Sequence, residues 1–178
     1  PLFVAVPAVA EVVSDFGFVE EFKDATAEID QRVLGPTGSV AEAVCDVNRL
    51  LYQDTAPSGS FVTLFLLEAD SAAGSLEWVR AGHDPAWLYC AATGAVQDLG
   101  GPGMALGVDG ACSYLSGSRA GLGADDVLVI GTDGIWETRN ANSEKFGKER
   151  IGKILMRHHR RSAEGILQAV LDALEAFR

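Results

Sequence analysis

The sequence predicts an α+β fold, with antiparallel hairpins and with helices gathered on the faces of the sheets. Three observations predict it. Short apolar strands separated by turn residues run from Phe61 to Ile130. Amphipathic helical periodicity is confined to the stretches on either side of that run. The order is strand, two helices, several strands, two helices, which is not βαβ alternation.

Each element has its own warrant. Leu2 to Val6 is a short apolar run and reads as a strand buried on both faces. From Phe16 to Val33, Phe18, Phe22, Ala25, Ile29 and Val33 recur at three- and four-residue steps, so this stretch reads as a helix stopped by Gly35-Pro36-Thr37-Gly38. A second helix starts at Ser39, with Glu42 at capping-box spacing and an apolar stripe of Val40, Ala43, Val44, Val47, Leu50 and Leu51. After Ala56-Pro57-Ser58-Gly59 the period changes. Phe61 to Leu67 is nearly all apolar and reads as a strand covered on both faces. Across the turn Asp70 to Gly74, Leu76 to Ala81 makes its hairpin partner. Trp87 to Ala91, a Thr93-Gly94 turn and Ala95 to Leu99 form a second pair, Gly107 to Leu115 reads as a further strand, and Val127 to Ile130 is the strongest of the later ones. Two helices close the chain. One runs from about Lys148 to Arg157, and the other follows Ser162 as N-cap with Ile166, Val170 and Leu174 on its stripe.

Composition bounds the function. The 178 residues make one ordinary domain, residues 1–178, and 48% hydrophobic with 22% charged residues exclude disorder. A net charge of −11 argues against broad nucleic-acid binding, because a phosphate backbone would be repelled. Cys45, Cys90 and Cys112 are scattered, which argues against a cysteine zinc site and for a reducing compartment, expected to be the cytoplasm. No run of 18 apolar residues exists, so no membrane segment is expected. The start, Pro1-Leu2-Phe3, has neither an initiator Met nor a basic leader, so the chain is expected to be a fragment, incomplete at both ends.

Asp133 is the foremost candidate for chemistry. It follows the strand Val127–Ile130 and lies between Gly131 and Gly134. A strand end is rigid, Gly allows close approach to the backbone, and a carboxylate is a hard ligand suited to Mg2+ or Mn2+. A turn aspartate capping its own backbone is the alternative. Ala81-Gly82-His83-Asp84-Pro85 is the second candidate. Its histidine either serves a site or ties a tight turn to neighbouring backbone, and the sequence favours the tie; Asp84 is the residue that could orient the ring. The stretch Gly100 to Gly107 lacks the Gly-Lys-Ser/Thr ending of a phosphate loop and reads as a rigid turn connecting two sheets. From Lys145 to Arg161, seven cations meet one carboxylate, Glu149. This is a solvated helix face or a docking surface for an acidic or phosphorylated protein. His158 and His159 would diverge by about 100° on a helix, which counts against a shared metal. No G-x-S-x-G or H-E-x-x-H pattern exists, so nucleophilic or zinc-protease chemistry has no support.

Read in order, several segments resemble the motifs of the bacterial sporulation and stress-response serine phosphatases (SpoIIE/RsbU-like), part of the metal-dependent, PP2C-like protein phosphatase superfamily. They are Phe61-Val62-Thr63-Leu64, Ala81 to Pro85, Leu106-Gly107-Val108, Asp126 to Asn140, and Phe146-Gly147. The resemblance covers about residues 39 to 178. It implies two antiparallel sheets packed as a sandwich with helices on the outer faces. It also implies removal of phosphate from phosphoserine or phosphothreonine of a regulatory protein, such as an anti-sigma-factor antagonist, by two Mn2+ or Mg2+ ions that activate a water. A sensor domain in the full-length protein would fit the family. Asp133 corresponds to a metal-binding aspartate, Gly134 belongs to the same motif, and His83 belongs to another without an implied catalytic role.

The chain departs from the family at three places. The family's opening Gly-Asp-x-x-Asp-like segment and its strand ending Gly-Asp-Val, followed by Gly-His-Gly, have no counterpart, and no terminal aspartate-bearing strand follows. The nearest match to the second of these is Leu2 to Val9, which sets Ala8 where the family has a metal-bridging aspartate. Asp84, Glu137 and Asp15 are the acids available to compensate. Two readings follow: a phosphatase, or a degenerate phosphatase fold that binds a partner without catalysis.

Overall fold

The computed structural model describes residues 39–178 and the backbone of residues 2–5. The expected helix over Phe16 to Val33 lies outside the described residues, as do Ala8 and Asp15.

The elements in chain order are β1 (Leu2–Ala5), α1 (Val40–Thr55), β2 (Leu64–Asp70), β3 (Ser75–Ala81), β4 (Ala86–Cys90), β5 (Ala95–Leu99), β6 (Ser116–Ala120), β7 (Val127–Ile130), the one-turn helix α2 (Asp133–Trp136), α3 (Lys148–His158) and α4 (Ala163–Phe177). One sheet has the order β1-β7-β4-β5 and the other β2-β3-β6. All pairings among the described strands are antiparallel except one. β1 runs parallel to β7, with Leu2 opposite Val127 and Ala5 opposite Ile130, so the first sheet is mixed rather than purely antiparallel.

Alternation along the strands decides the layers. On β4, Trp87 and Tyr89 face α3 and α4, where they join Phe146, Ile151, Leu155, Ile166, Val170 and Leu174. The intervening Ala86, Leu88 and Cys90 meet Leu76 and Trp78 of β3, which forms the core between the sheets. The opposite face of β3, through Val79 and Ala81, packs on Val40, Val44 and Val47 of α1. The result is helix, sheet, sheet, helix: the expected sandwich with helices outside. α1 begins as its sequence requires. Ser39 Oγ accepts from Glu42 N at 3.2 Å, and Glu42 Oε2 accepts from Ser39 N at 3.1 Å.

Three expectations need correction. The strand expected from Phe61 starts at Leu64, because Val62 instead exchanges both backbone hydrogen bonds with Leu106, at 2.8 and 3.0 Å. That strand is half-buried rather than covered on both faces, since β2 has one described neighbour, β3. Gly107 to Leu115 is not a strand. Its backbone is claimed by side chains: Asn48 Oδ1 accepts from Gly107 N at 2.9 Å, Asn48 Nδ2 donates to Asp109 O at 2.8 Å, and Asp109 Oδ1 accepts from Ala111 N at 2.9 Å. The strand lies further on, at Ser116–Ala120, where Gly117 sits opposite Trp78. A Cβ on Gly117 would stand 2.6 Å from the Trp78 ring, so the absence of a side chain there lets the indole lie across β6.

Asn48 is fully buried on α1, and both ends of its amide are used. Asn48→Ala strands the buried Gly107 N–H and frees the carbonyl of the exposed Asp109, so it is expected to cost about 1–3 kcal/mol and lower Tm by about 2–12 °C. Thermal denaturation followed by circular dichroism checks this; a shift within about 1 °C would show that the loop does not depend on Asn48. Tyr114 packs in the same layer, and burial, reinforced by the adjacent Cys112, raises its phenol well above the ordinary range.

Candidate active site

β7 delivers the site. Its Val127, Leu128 and Val129 are buried against both layers, so the strand end is held rigidly. The chain then turns at buried Gly131 into α2, whose first residue is Asp133. The turn is closed by Glu137 N donating to Asp133 O at 2.7 Å, and it is anchored by Trp136 against Trp87 with ring centroids 5.1 Å apart. The Asp133 carboxylate is exposed and makes no side-chain hydrogen bond to a described residue. It is therefore not a turn aspartate capping its own backbone. β1, parallel to β7, ends at Ala5 beside Ile130, on the same edge of the sheet. Ala8 stands three residues further along the sequence, outside the described residues.

The other candidate residues are placed as follows. The Gly134 carbonyl accepts from Thr138 Oγ1 at 2.7 Å, so the backbone oxygen of this motif is already engaged within its turn. His83 is buried and ties the loop between β3 and β4. Its Nδ1 lies 2.9 Å from Asp84 O, and its own carbonyl accepts from Arg80 Nε. The ring is thus held by the Asp84 backbone and not by its carboxylate, which does not orient the ring. That carboxylate instead faces Lys148 Nζ at 3.5 Å. Glu137 pairs with Lys145 Nζ at 2.6 Å, and this hydrogen bond, with the lysine's charge, lowers its pKa below the usual carboxylate range. Of the three acids available to compensate for Ala8, Asp84 and Glu137 are therefore answered by lysines, and Asp15 lies outside the described residues. Among the described residues no group of three or more His, Cys, Asp or Glu could hold a metal ion.

Lys148 links two parts of the site. Its ammonium lies 5.0 Å from the Trp87 ring centroid and 4.8 Å from that of Trp136, while also facing Asp84. It therefore joins the loop after β3 to the turn that presents Asp133. Sequence reading counted Lys148 only as part of a basic segment; its spacing from Phe146-Gly147, at the first position of α3, was the available signal. Asp126 opens the motif that runs to Asn140, but its role is set by the fold. It is buried just before β7 and accepts from Ala91 N and Gly123 N, each at 2.8 Å, which seats the strand's start. The exposed Asp84–Lys148 pair contributes little, so Lys148→Met is expected to cost about 1 kcal/mol, mainly through the lost cation–π contacts, and to lower Tm by about 2–4 °C. The intrinsic tryptophan emission should shift with it; an unchanged spectrum and Tm would show that the ammonium does not hold the two rings.

A family model described as stage II sporulation protein E (SpoIIE) matches residues 6–178. Protein IcfG of Synechocystis sp. is 28% identical over 95 residues, which cover 53% of this chain and 15% of IcfG. In fold the chain is similar to the SiaA-PP2C domain of Pseudomonas aeruginosa, with a TM-score of 0.70 and 18% identity over 86% of this chain and 60% of that one. It is similar to the RsbU and RsbW domains of a Mycobacterium tuberculosis protein, with a TM-score of 0.69 and 18% identity over 86% of this chain and 42% of that one. Against the PP2C phosphatase domain of Bacillus subtilis SpoIIE with a fragment of its regulatory domain, the TM-score is 0.67 at 15% identity, covering 88% and 44%. At such identities the structural likeness is one of fold. The chain spans 15% of the curated relative and at most 60% of these three structures.

Proposed function

The chain belongs to the stage II sporulation protein E (SpoIIE) family of PP2C-like phosphatase domains, and on that premise we propose that it is the phosphatase domain of a signalling protein acting on a phosphorylated regulatory protein. The substrate group is phosphoserine or phosphothreonine, on a partner such as an anti-sigma-factor antagonist, in the cytoplasm. The observation that supports this reading is Asp133: an exposed carboxylate at the rigid end of β7 with no side-chain partner among the described residues, which on the motif resemblance would be the metal-binding aspartate.

Asp133 fits one hydrated Mn2+ or Mg2+. In this superfamily a metal pair would lower the pKa of a water and absorb charge on the phosphoryl oxygens. The described residues do not fit a pair, since Asp84 and Glu137 are held by Lys148 and Lys145. What the chain's own residues supply is position: β7 and the Trp136–Trp87 contact hold Asp133, and Lys148 holds the neighbouring loop against its turn. The test is manganese-dependent hydrolysis of a phosphoserine peptide by the full-length protein. Turnover is expected; its absence from folded, full-length protein overturns the reading.

A second reading, a non-catalytic regulatory module, is favoured by the two lysine-held carboxylates together with Ala8. It predicts that calorimetric titration of this chain with MnCl2 finds weak binding of a single ion. Tight binding of two ions per chain would overturn it.

A further inference from the structure

The basic segment that the catalytic reading leaves unused lines a groove between α3 and α4. We propose that this groove binds an acidic amphipathic helix of a protein partner. The inference stands whether or not the domain is catalytic.

The groove has two adjoining stretches, with volumes of about 410 and 560 Å3, that share Ile154, Arg157 and Ala173. Its floor is apolar: Ile154 from α3, and Ala173, Ala176 and Phe177 from α4. Ala169, Ala173 and Ala176 recur at four- and three-residue steps, so one face of α4 lacks bulk along the groove. The walls are cationic. Lys153 and Arg157 lie one turn apart on α3, and Arg161 follows just beyond it. None of these three has an ion-pair partner among the described residues. Arg150, by contrast, is occupied: it donates to the Lys145 and Phe146 carbonyls and lies 4.5 Å from the Phe177 ring centroid. The one carboxylate among the lining residues, Asp172, belongs to the second stretch, and it already accepts from Gln168 Nε2 at 2.7 Å. The two histidines diverge as expected: His158 lines the groove, while His159 stacks on Tyr89 at 5.1 Å.

This combination selects the occupant. Three unpaired cations on a chain of net charge −11 attract an acidic surface, and their flexible stems can reach carboxylates spaced along a helix. The apolar floor takes side chains at i, i+4 and i+7 of such a helix. A nucleic acid would use the cations but leave the apolar floor uncovered, whereas an amphipathic helix uses both. The 11 residues of α3 span about 16 Å, a length that about three turns of a bound helix would match.

The probe is a fluorescein-labelled Leu/Glu peptide of about four turns, its leucines on one face, titrated with the full chain by fluorescence anisotropy. Saturable binding is expected, and it should weaken with added salt. The double substitution Lys153→Glu with Arg157→Glu, at two exposed positions, should weaken it by at least about tenfold. Ala176→Tyr fills the floor without changing charge and should weaken it similarly, while circular dichroism confirms that both variants are folded. A peptide of the same composition with its leucines dispersed around the helix should bind several-fold more weakly. Equal binding of the two peptides, or native-like binding by both variants, overturns the proposal. So would self-association in sedimentation that the double substitution abolishes, because the groove would then belong to a second copy of this chain.

Discussion

Asp133→Ala is expected to lower manganese-dependent phosphoserine hydrolysis by the full-length protein at least about 100-fold, equivalent to about 2.7 kcal/mol of transition-state stabilisation. The side chain is exposed, has no hydrogen-bond partner among the described residues, and sits on a turn held by Trp136 rather than by itself. Replacing it removes ligand oxygens and one negative charge while leaving the packing untouched. Tm should therefore stay within about 2 °C of the parent, as for a surface change worth about 0.5 kcal/mol or less. This separation of activity from stability is what distinguishes a ligand from a structural aspartate. Asp133→Asn is the companion variant: it preserves shape but is a neutral, weaker ligand, and should also lose most activity. Activity retained by either folded variant would remove Asp133 from the reaction.

Gly103→Ala is expected to cost at least about 3 kcal/mol and lower Tm by about 6–12 °C. A Cβ on Gly103 would stand 1.8 Å from the Arg80 carbonyl oxygen, a backbone atom that cannot move aside without moving β3. The same approach brings Gly82 N to Gly103 O at 3.0 Å. Gly82 itself has φ of +73°, and its own Cβ would meet Ala105 at 2.9 Å. Two backbones thus cross with no room for a side chain at either glycine. The crossing joins the His83-Asp84 loop to the glycine-rich segment that carries the chain between the two sheets. Unfolding by urea with a midpoint matching the parent's would show that the segment can shift to make room, and that the crossing is not needed for stability.

What the sequence by itself determined is what depends on neighbours along the chain. The helices at 40–55, 148–158 and 163–177 follow from apolar spacing and from Ser39 and Ser162 as caps, and both Ser side chains accept the expected backbone hydrogen bond. The hairpin over residues 64–81, the strand Val127–Ile130 and the position of Asp133 at its end were equally legible, because an apolar run and its closing glycines lie within a few residues of each other. The tertiary structure decided whatever depends on residues far apart in sequence. Asn48 takes the backbone groups of Gly107 and Asp109 from 59 and 61 residues away, so an apolar-looking stretch becomes a loop. Ser116–Ala120 becomes a strand although no side chain in it marks one, because β3 offers an open edge and Trp78 covers Gly117. At the site, Asp84 and Glu137 read as free acids in the sequence. They are not free in the fold, because docking α3 on the first sheet carries Lys148 to Asp84, and the connection leading into that helix brings Lys145 to Glu137. Local spacing can say where a carboxylate stands; only packing decides which charge stands opposite it, because Coulomb attraction depends on distance in space and not on distance along the chain.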